Sequence, residues 1–76
     1  MTITRFLVGD RVICTRNTES PTIEDNYLVG NAGKITNITP ECPLGISVTL
    51  THVNGHPHHH VGQTMLFAAT ELEHLD

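Results

Sequence analysis

The sequence predicts a small all-β domain, and three observations lead to that fold class. The chain has 76 residues, and a domain near this size buries only about 60% of the surface that its unfolded chain exposes. Turn-forming residues recur at short intervals, and the runs between them are rich in β-branched residues, which is typical of short strands. No segment has the length and period of an amphipathic helix. We therefore expect a single domain over residues 1–76.

The first three strands are predicted where apolar and polar residues alternate. We expect them over residues 10–16, 33–39 and 45–53. In the first strand Val12 and Cys14 share one face, which we assign to the core, because alternate residues of a strand point to the same side. In the third strand the residues assigned to the core are aliphatic: Ile46, Val48 and Leu50.

A tight hairpin is predicted after the third strand. Asn54-Gly55 is the preferred dipeptide of a two-residue type I′ turn, in which both residues take a positive φ. The fourth strand then begins near His56 and runs towards Phe67. This register places Leu50 opposite His59.

Facing residues share a side of the sheet, so the hairpin register also sorts the histidines. His59 and His52 are expected on the core side, while the outer side receives His56, His58 and His60. Residues 71–75 read as a closing strand or a single turn before one, and residues 17–29 as a long exposed loop. Five short antiparallel strands with one long early loop describe a small SH3-like barrel, which removes free sheet edges.

Two segments carry a resemblance to known SH3-like families. Residues 8–13 (VGDRVI) and 29–38 (VGNAGKITNI) resemble the KOW motif of transcription and ribosomal proteins. Residues 9–12 with 15–17 resemble the SH3-like insert of superfamily-1 helicases. A similar layout occurs in small SH3-like accessory subunits of electron-transfer complexes, which end in a segment like residues 71–73. In such a barrel three glycines supply turns and three aliphatic residues supply the core: Gly9, Gly30, Gly33, Val12, Ile35 and Ile38.

Charge and hydropathy narrow the classes of partner. Asp and Glu number 8 against 4 for Lys and Arg, so the net charge is −4 with neutral histidines. Nucleic-acid affinity rests on basic side chains that displace counterions from phosphates. The negative net charge therefore argues against nucleic-acid binding, which the KOW-like pattern favours. No apolar run reaches the roughly 18 residues of a membrane span, and the first residues have no signal-peptide pattern. We expect a cytoplasmic protein with no membrane partner.

The leading prediction is a non-catalytic binding module, a small accessory or regulatory protein that docks on a larger enzyme or nucleic-acid machine. A barrel this small rarely holds a water-excluding pocket, so we expect no enzymatic activity. The predicted partner-binding residues lie in the early loop: Glu19, Glu24, Asp25 and Tyr27. The three acidic residues of this loop, together with Glu41, suit an alternative, a phage-type inhibitor of a host enzyme that mimics nucleic-acid charge. A KOW-like nucleic-acid-binding protein is a further alternative.

The 6 histidines are the compositional oddity of the chain. His58 and His60 would clamp one transition-metal ion if they stood at i and i+2 on a strand. His56 is a further candidate on the same face, but along an extended strand it lies about 13 Å from His60, too far to bind the same ion directly. A zinc site needs three or four ligands, so we expect no dedicated cofactor, and a metal-binding protein with weak capture of nickel or copper is an alternative. Two other readings stay open, namely pH sensing by imidazoles and a hairpin tip that merely tolerates polar residues.

The two cysteines stand far apart, without the spacing of a metal site. We expect Cys14 and Cys42 to be reduced, because nothing in the sequence indicates an oxidising compartment. Cys14 is predicted to face the core, where a thiol is normally inert.

Overall fold

The computed structural model describes residues 5–16 and 28–75, which form a five-stranded antiparallel sheet. The strands are β1 (Arg11–Cys14), β2 (Ala32–Ile38), β3 (Ile46–His52), β4 (Thr64–Phe67) and β5 (Leu72–His74). A one-turn 3-10 helix, Ala69–Glu71, precedes β5. The spatial order is β4-β3-β2-β1-β5, so the first four strands form a meander and β5 returns to β1. The all-β prediction is confirmed.

Within the described ranges the sheet is open, because its edge strands β4 and β5 do not pair with each other. The predicted closure into a barrel is therefore not reached. After Phe67 the chain enters the 3-10 turn, and the Thr15 N–H donates to the carbonyl of Glu71 at 2.8 Å. This contact directs the last strand to β1, where Leu72 lies opposite Cys14. No helix in the described part of the chain is long and apolar enough to cross a membrane.

The core lies on the inner face of the sheet, where alternate residues of the strands meet. The buried cluster consists of Val12, Cys14, Ile35, Ile46, Val48, Leu50, Phe67 and Leu72. This confirms the alternation predicted for β1 and β3. Ile38, which was also predicted to supply the core, is only partly buried and packs against its margin.

The predicted type I′ hairpin at Asn54-Gly55 is wrong. Gly55 has a φ of 93°, but no residue other than glycine has a positive φ in the described ranges, so Asn54 lacks the conformation that this turn requires. Its side-chain amide donates instead to the carbonyl of Val29 at 3.1 Å, and its Oδ1 accepts the His56 N–H at 2.9 Å. The bond to Val29 holds Asn54 against the segment before β2, and the bond from His56 is local to the loop.

The chain reverses later, at Gly62, where φ is 93°. The Gly62 N–H donates to the Leu50 carbonyl, and the Leu50 N–H donates to the Gln63 carbonyl, both at 2.8 Å. β4 consequently begins at Thr64, which pairs with Thr49. We call residues 53–63 the histidine loop. It replaces the predicted start of the fourth strand near His56.

Only part of the predicted sorting of histidines holds. His59 is buried, with 8% of its surface exposed, and His58 and His60 are exposed, as predicted. The cause is the folding of the histidine loop and not a strand register. His52, predicted on the core side, is exposed at the end of β3. The register of β2 against β3 shifts beside its partner Ala32, and this shift breaks the simple alternation there.

Gly33 does not supply a turn, contrary to its predicted role, because it lies inside β2. It is opposite Val12 in β1 and opposite Leu50 in β3. A Cβ atom at this position would lie 2.9 Å from the Leu50 Cα and closer still to the Thr49 carbonyl oxygen. Glycine is therefore required here by the close approach of β3. Gly9 and Gly30 do have a positive φ, at 97° and 96°, as turn positions require.

Candidate binding cleft and histidine loop

The sites predicted from sequence divide between two parts of the chain. The proposed partner-binding residues Glu19, Glu24, Asp25 and Tyr27 lie outside the described residues, and their role stays a prediction. The histidines proposed for metal binding lie in the histidine loop, at the His52 end of β3. At the other end of β3, beside Ile46, the structure has a cleft that the sequence did not indicate.

The cleft has a volume of about 320 Å³ and lies between the β2–β3 turn, the segment before β1 and the 3-10 helix. Most of its lining is apolar. The lining residues are Arg5, Phe6, Ile38, Thr39, Pro40, Cys42, Pro43, Gly45, Ile46 and Ala69. A concave, largely apolar surface with few polar groups is the usual form of a binding site.

The β2–β3 turn forms one rigid wall of the cleft. The Thr39 N–H donates to the Gly45 carbonyl at 2.7 Å, and the Cys42 N–H donates to the Thr39 carbonyl at 3.1 Å. Pro40 and Pro43 restrict the backbone between these bonds, because a proline ring fixes φ. A wall that is already ordered costs less conformational entropy when a ligand binds.

The opposite wall includes Phe6, which is held by β5. The Phe6 ring stacks on His74 with centroids 4.6 Å apart, and His74 Nε2 lies 2.9 Å from Asp10 Oδ2. Asp10 Oδ2 also accepts the Leu7 N–H at 2.9 Å. Both hydrogen bonds lower the pKa of the Asp10 carboxyl, and the bond from the Leu7 backbone has the larger effect. Phe6 is therefore positioned by a polar anchor outside the cleft.

The electrostatics of the cleft depend on Arg5. It is the one charged residue among the described residues that line the cleft, and it is exposed. No carboxylate lines the cleft in the described part of the chain. The cleft thus presents an apolar surface with a cation at its margin, although the protein as a whole is acidic.

The histidine loop is fastened to the sheet through the buried side chain of Asn31. Asn31 Oδ1 accepts the backbone N–H of Asn54 at 2.9 Å. Its Nδ2 lies 2.9 Å from His59 Nδ1 and also donates to Met65 Sδ at 3.7 Å. Inside the loop, the His59 N–H donates to the His56 carbonyl at 3.0 Å, and the two imidazole centroids are 4.6 Å apart.

These bonds determine which nitrogen carries the proton in two imidazoles. Because Asn31 Oδ1 is an acceptor, its Nδ2 is the donor, and His59 Nδ1 must accept. His56 Nδ1 likewise accepts the backbone N–H of His58 at 3.2 Å. In the neutral state both rings therefore carry their proton on Nε2.

The same tautomers bear on the metal hypothesis for His58, His60 and His56. A neutral imidazole that ligates a metal through Nε2 carries its proton on Nδ1, so His56 would lose its bond from His58. Among the residues that the structure describes, no three His, Cys, Asp or Glu side chains are grouped as a metal site. Metal binding by this loop stays a prediction.

Burial controls the titration of His59 and Cys14. Loss of solvation lowers the pKa of His59, and the neighbouring charges of His56, His58 and His60 lower it further. Burial raises the pKa of the Cys14 thiol to about 11, against a smaller opposing effect of a backbone hydrogen bond with Arg16. At neutral pH this thiol is protonated and a poor nucleophile. Cys14 and the exposed Cys42 are both free.

Sequence reasoning identified the histidines but missed Asn31 and the cleft. The signal for Asn31 was available: a polar residue directly before a strand that begins with buried positions, beside the turn at Gly30. Two prolines in the short segment between β2 and β3 also indicated a rigid turn. No protein-family model matches the chain, and no curated protein or solved structure is significantly similar to it.

Proposed function

We propose that this protein is a non-catalytic binding module that docks through its cleft on a segment of a larger protein. The observation that carries the proposal is the apolar cleft of about 320 Å³ with its single cation, Arg5, among the described lining residues. The rigid β2–β3 turn and the anchored Phe6 ring support it, because the cleft needs little rearrangement to accept a ligand. The protein would act as an accessory or regulatory subunit.

The fold proposed for this module is SH3-like. Three features support it: the four-strand meander, the 3-10 turn Ala69–Glu71, and the return of β5 to β1. The cleft lies where the β2–β3 turn meets this 3-10 turn. Phe6 is the only aromatic residue among its described lining residues, so the surface is a poor match for proline-rich ligands, whose grooves are lined by several aromatics.

The lining of the cleft defines the chemistry of its partner. An apolar side chain of the partner would be buried against Ile38 and Phe6, and a carboxylate next to it would face Arg5. Selection of random displayed peptides on the immobilised protein tests this. We expect the enriched peptides to share a large apolar residue beside Asp or Glu, with affinity on the order of micromolar because the contact area is small.

Charge reversal at Arg5 provides the decisive comparison. We expect Arg5→Glu to weaken the binding of the acidic peptides by about tenfold, which corresponds to about 1.4 kcal/mol of binding free energy. Arg16→Glu is the matched control, since Arg16 is exposed and does not line the cleft. Amide shifts on peptide addition should concentrate at Ile38, Cys42 and Ala69. Peptides that bind both variants equally, with shifts at another surface, would refute the proposal.

Nucleic-acid binding is the second candidate function, and one observation favours it. Arg11 and Lys34, two of the 4 cations of the chain, are exposed and directly opposite each other on the outer face of β1 and β2. Across the next two strands, Thr49 pairs with Lys34 and Thr64 pairs with Thr49, and the two threonine hydroxyls are 3.1 Å apart. The pair places two positive charges side by side on the outer face of the sheet.

A salt titration separates the two candidates. If the protein is a protein-docking module, it should bind neither RNA nor duplex DNA at sub-micromolar concentration near physiological salt. Two phosphate contacts from Arg11 and Lys34 would give a slope of about −2 for duplex DNA in a plot of log affinity against log salt. Tight binding with a slope at least this steep, abolished by Lys34→Glu, would establish the nucleic-acid function instead.

A further inference from the structure

The open sheet leaves one edge of β4 unpaired, because β4 pairs with β3 alone among the described strands. In an antiparallel pair, the backbone groups of alternate residues face the neighbouring strand. The Gln63 carbonyl accepts from Leu50 of β3, so Met65, two residues later, also directs its N–H and C=O to β3. Thr64 and Leu66 direct theirs away from the sheet, and both residues are exposed.

The two edges of the described sheet differ in how they are protected. Natural edge strands usually carry a charge, a proline or a bulge that prevents pairing with another chain. In β5 the central residue Glu73 is charged, and the Leu72 N–H already donates to the Ala69 carbonyl. β4 is short, but its residues (TMLF) are uncharged, include no proline and pair with β3 without a register shift. β4 is therefore the edge that is open to a further strand.

The outward backbone groups of β4 are complementary to those of a second copy of the same strand. Groups at positions i and i+2 match their own copy about a two-fold axis through the residue between them. With the axis at Met65, Thr64 of each copy pairs with Leu66 of the other, and every outward N–H and C=O of these residues is bonded. Met65 then lies opposite its own copy on the inner side, where its flexible side chain adapts to the contact.

The flanking residues exclude the two neighbouring registers. An axis at Thr64 would pair Leu66 with Gly62, and an axis at Leu66 would pair Thr64 with Ala68. The Gly62 N–H already donates to the carbonyl of β3 beside it, and the Ala68 N–H donates to the Glu71 carboxylate at 2.8 Å. Each shifted register would therefore lose donors, and the register about Met65 is the one that the outward groups of β4 specify.

We propose that the protein forms a symmetric dimer in which the β4 strands of two copies pair antiparallel about Met65 and join the two sheets. No like charges meet in this contact, whereas pairing of β5 with its own copy would oppose Glu73 to Glu73. Two strands of 4 residues bury less than the roughly 1,200 Å² of a standard interface. We therefore expect a dissociation constant on the order of 100 µM. β4 contributes none of the described residues that line the cleft, so the dimer is independent of the proposed docking function.

Sedimentation equilibrium and hydrogen exchange of the full chain test the dimer. With this dissociation constant, the monomer fraction should fall from about 0.6 at about 50 µM protein to about 0.2 at about 1 mM. Exchange of the Thr64 and Leu66 amides should slow by about threefold over this range, while the His74 amide, at the β5 edge, should not change. A chain that stays monomeric at the higher concentration, leaving β4 to a strand of another protein, would overturn the proposal. Protection that grows at His74 instead would also overturn it.

Charge substitutions at Leu66 test the register. In the proposed dimer the two copies of Leu66, which is 56% exposed, are diagonal neighbours on the outer face. Leu66→Lys and Leu66→Glu should each weaken dimerisation by about fivefold through like-charge repulsion, and an equimolar mixture should associate more strongly than either variant alone. Leu75→Lys is the matched control, since Leu75 is an exposed leucine beside the other edge strand, and it should dimerise as the wild type does. A mixture that associates no better than the separate variants would contradict the proposed register.

Discussion

Replacing Gly33 with alanine is expected to destabilise the domain by more than about 3 kcal/mol, at the upper end of the cost of overpacking a well-packed interior. The new Cβ would lie 2.9 Å from the Leu50 Cα and closer to the Thr49 carbonyl oxygen. Both belong to the backbone of β3, so no side-chain rotation relieves the overlap. β2 and β3 must separate where they are paired. Equilibrium unfolding in urea measures the loss.

Gly55→Ala is the matched control for this prediction. Gly55 has a positive φ of 93°, but no atom of the described residues beyond its chain neighbours lies within 4 Å of a Cβ built there. The substitution should therefore cost only the strain of a left-handed conformation, about 1–2 kcal/mol. If the two variants lost the same stability, close strand approach would not be the reason for glycine at position 33.

Replacing Phe67 with alanine should cost about 3–5 kcal/mol, the range observed when a buried aromatic ring is deleted from a core. Phe67 is completely buried, pairs with Ile46 at the end of β3 and belongs to the central cluster. A small domain has few other residues to fill the resulting cavity. Total stabilities of domains are only about 5–15 kcal/mol, so this variant should be largely unfolded at moderate temperature, with lost amide dispersion in the NMR spectrum.

Leu66→Ala tests whether burial, and not chain position, causes that loss. Leu66 is the preceding residue of the same strand, but it is 56% exposed on the opposite face. A surface substitution of this kind usually changes stability by no more than about 0.5 kcal/mol. A large loss at Leu66 with a small one at Phe67 would mean that the inner and outer faces of β4 are reversed.

The strands that were predicted well are those in which the local pattern and the tertiary environment agree. The alternation of apolar and polar residues identified the buried face of β1, which includes Val12, and that of β3, which includes Leu50. It did so because one face of each strand is in contact with the core. The closing element was also predicted, as a strand or a single turn before one over residues 71–75, and β5 is that strand. Local pattern was sufficient in these places because side-chain direction in a strand has a period of two.

The candidate sites were less accessible to prediction. The cleft brings Arg5, Ile38 and Ala69 together from distant parts of the chain. A local sequence pattern does not predict contacts between residues so far apart. The histidines were conspicuous by composition, and His59 was expected on the core side. The partner that specifies its tautomer, Asn31, is far away in sequence.

The sequence by itself determined the all-β class and the inner faces of β1 and β3. These properties depend on residue type and on short-range periodicity. Tertiary structure alone decided where β4 begins, because Asn54 forms hydrogen bonds to the segment before β2 in place of a local turn. It also decided that Gly33 is a close-packing position and that the described sheet stays open. In each case the deciding contact joins groups far apart along the chain, and the energy of such a contact exists only once the strands have assembled.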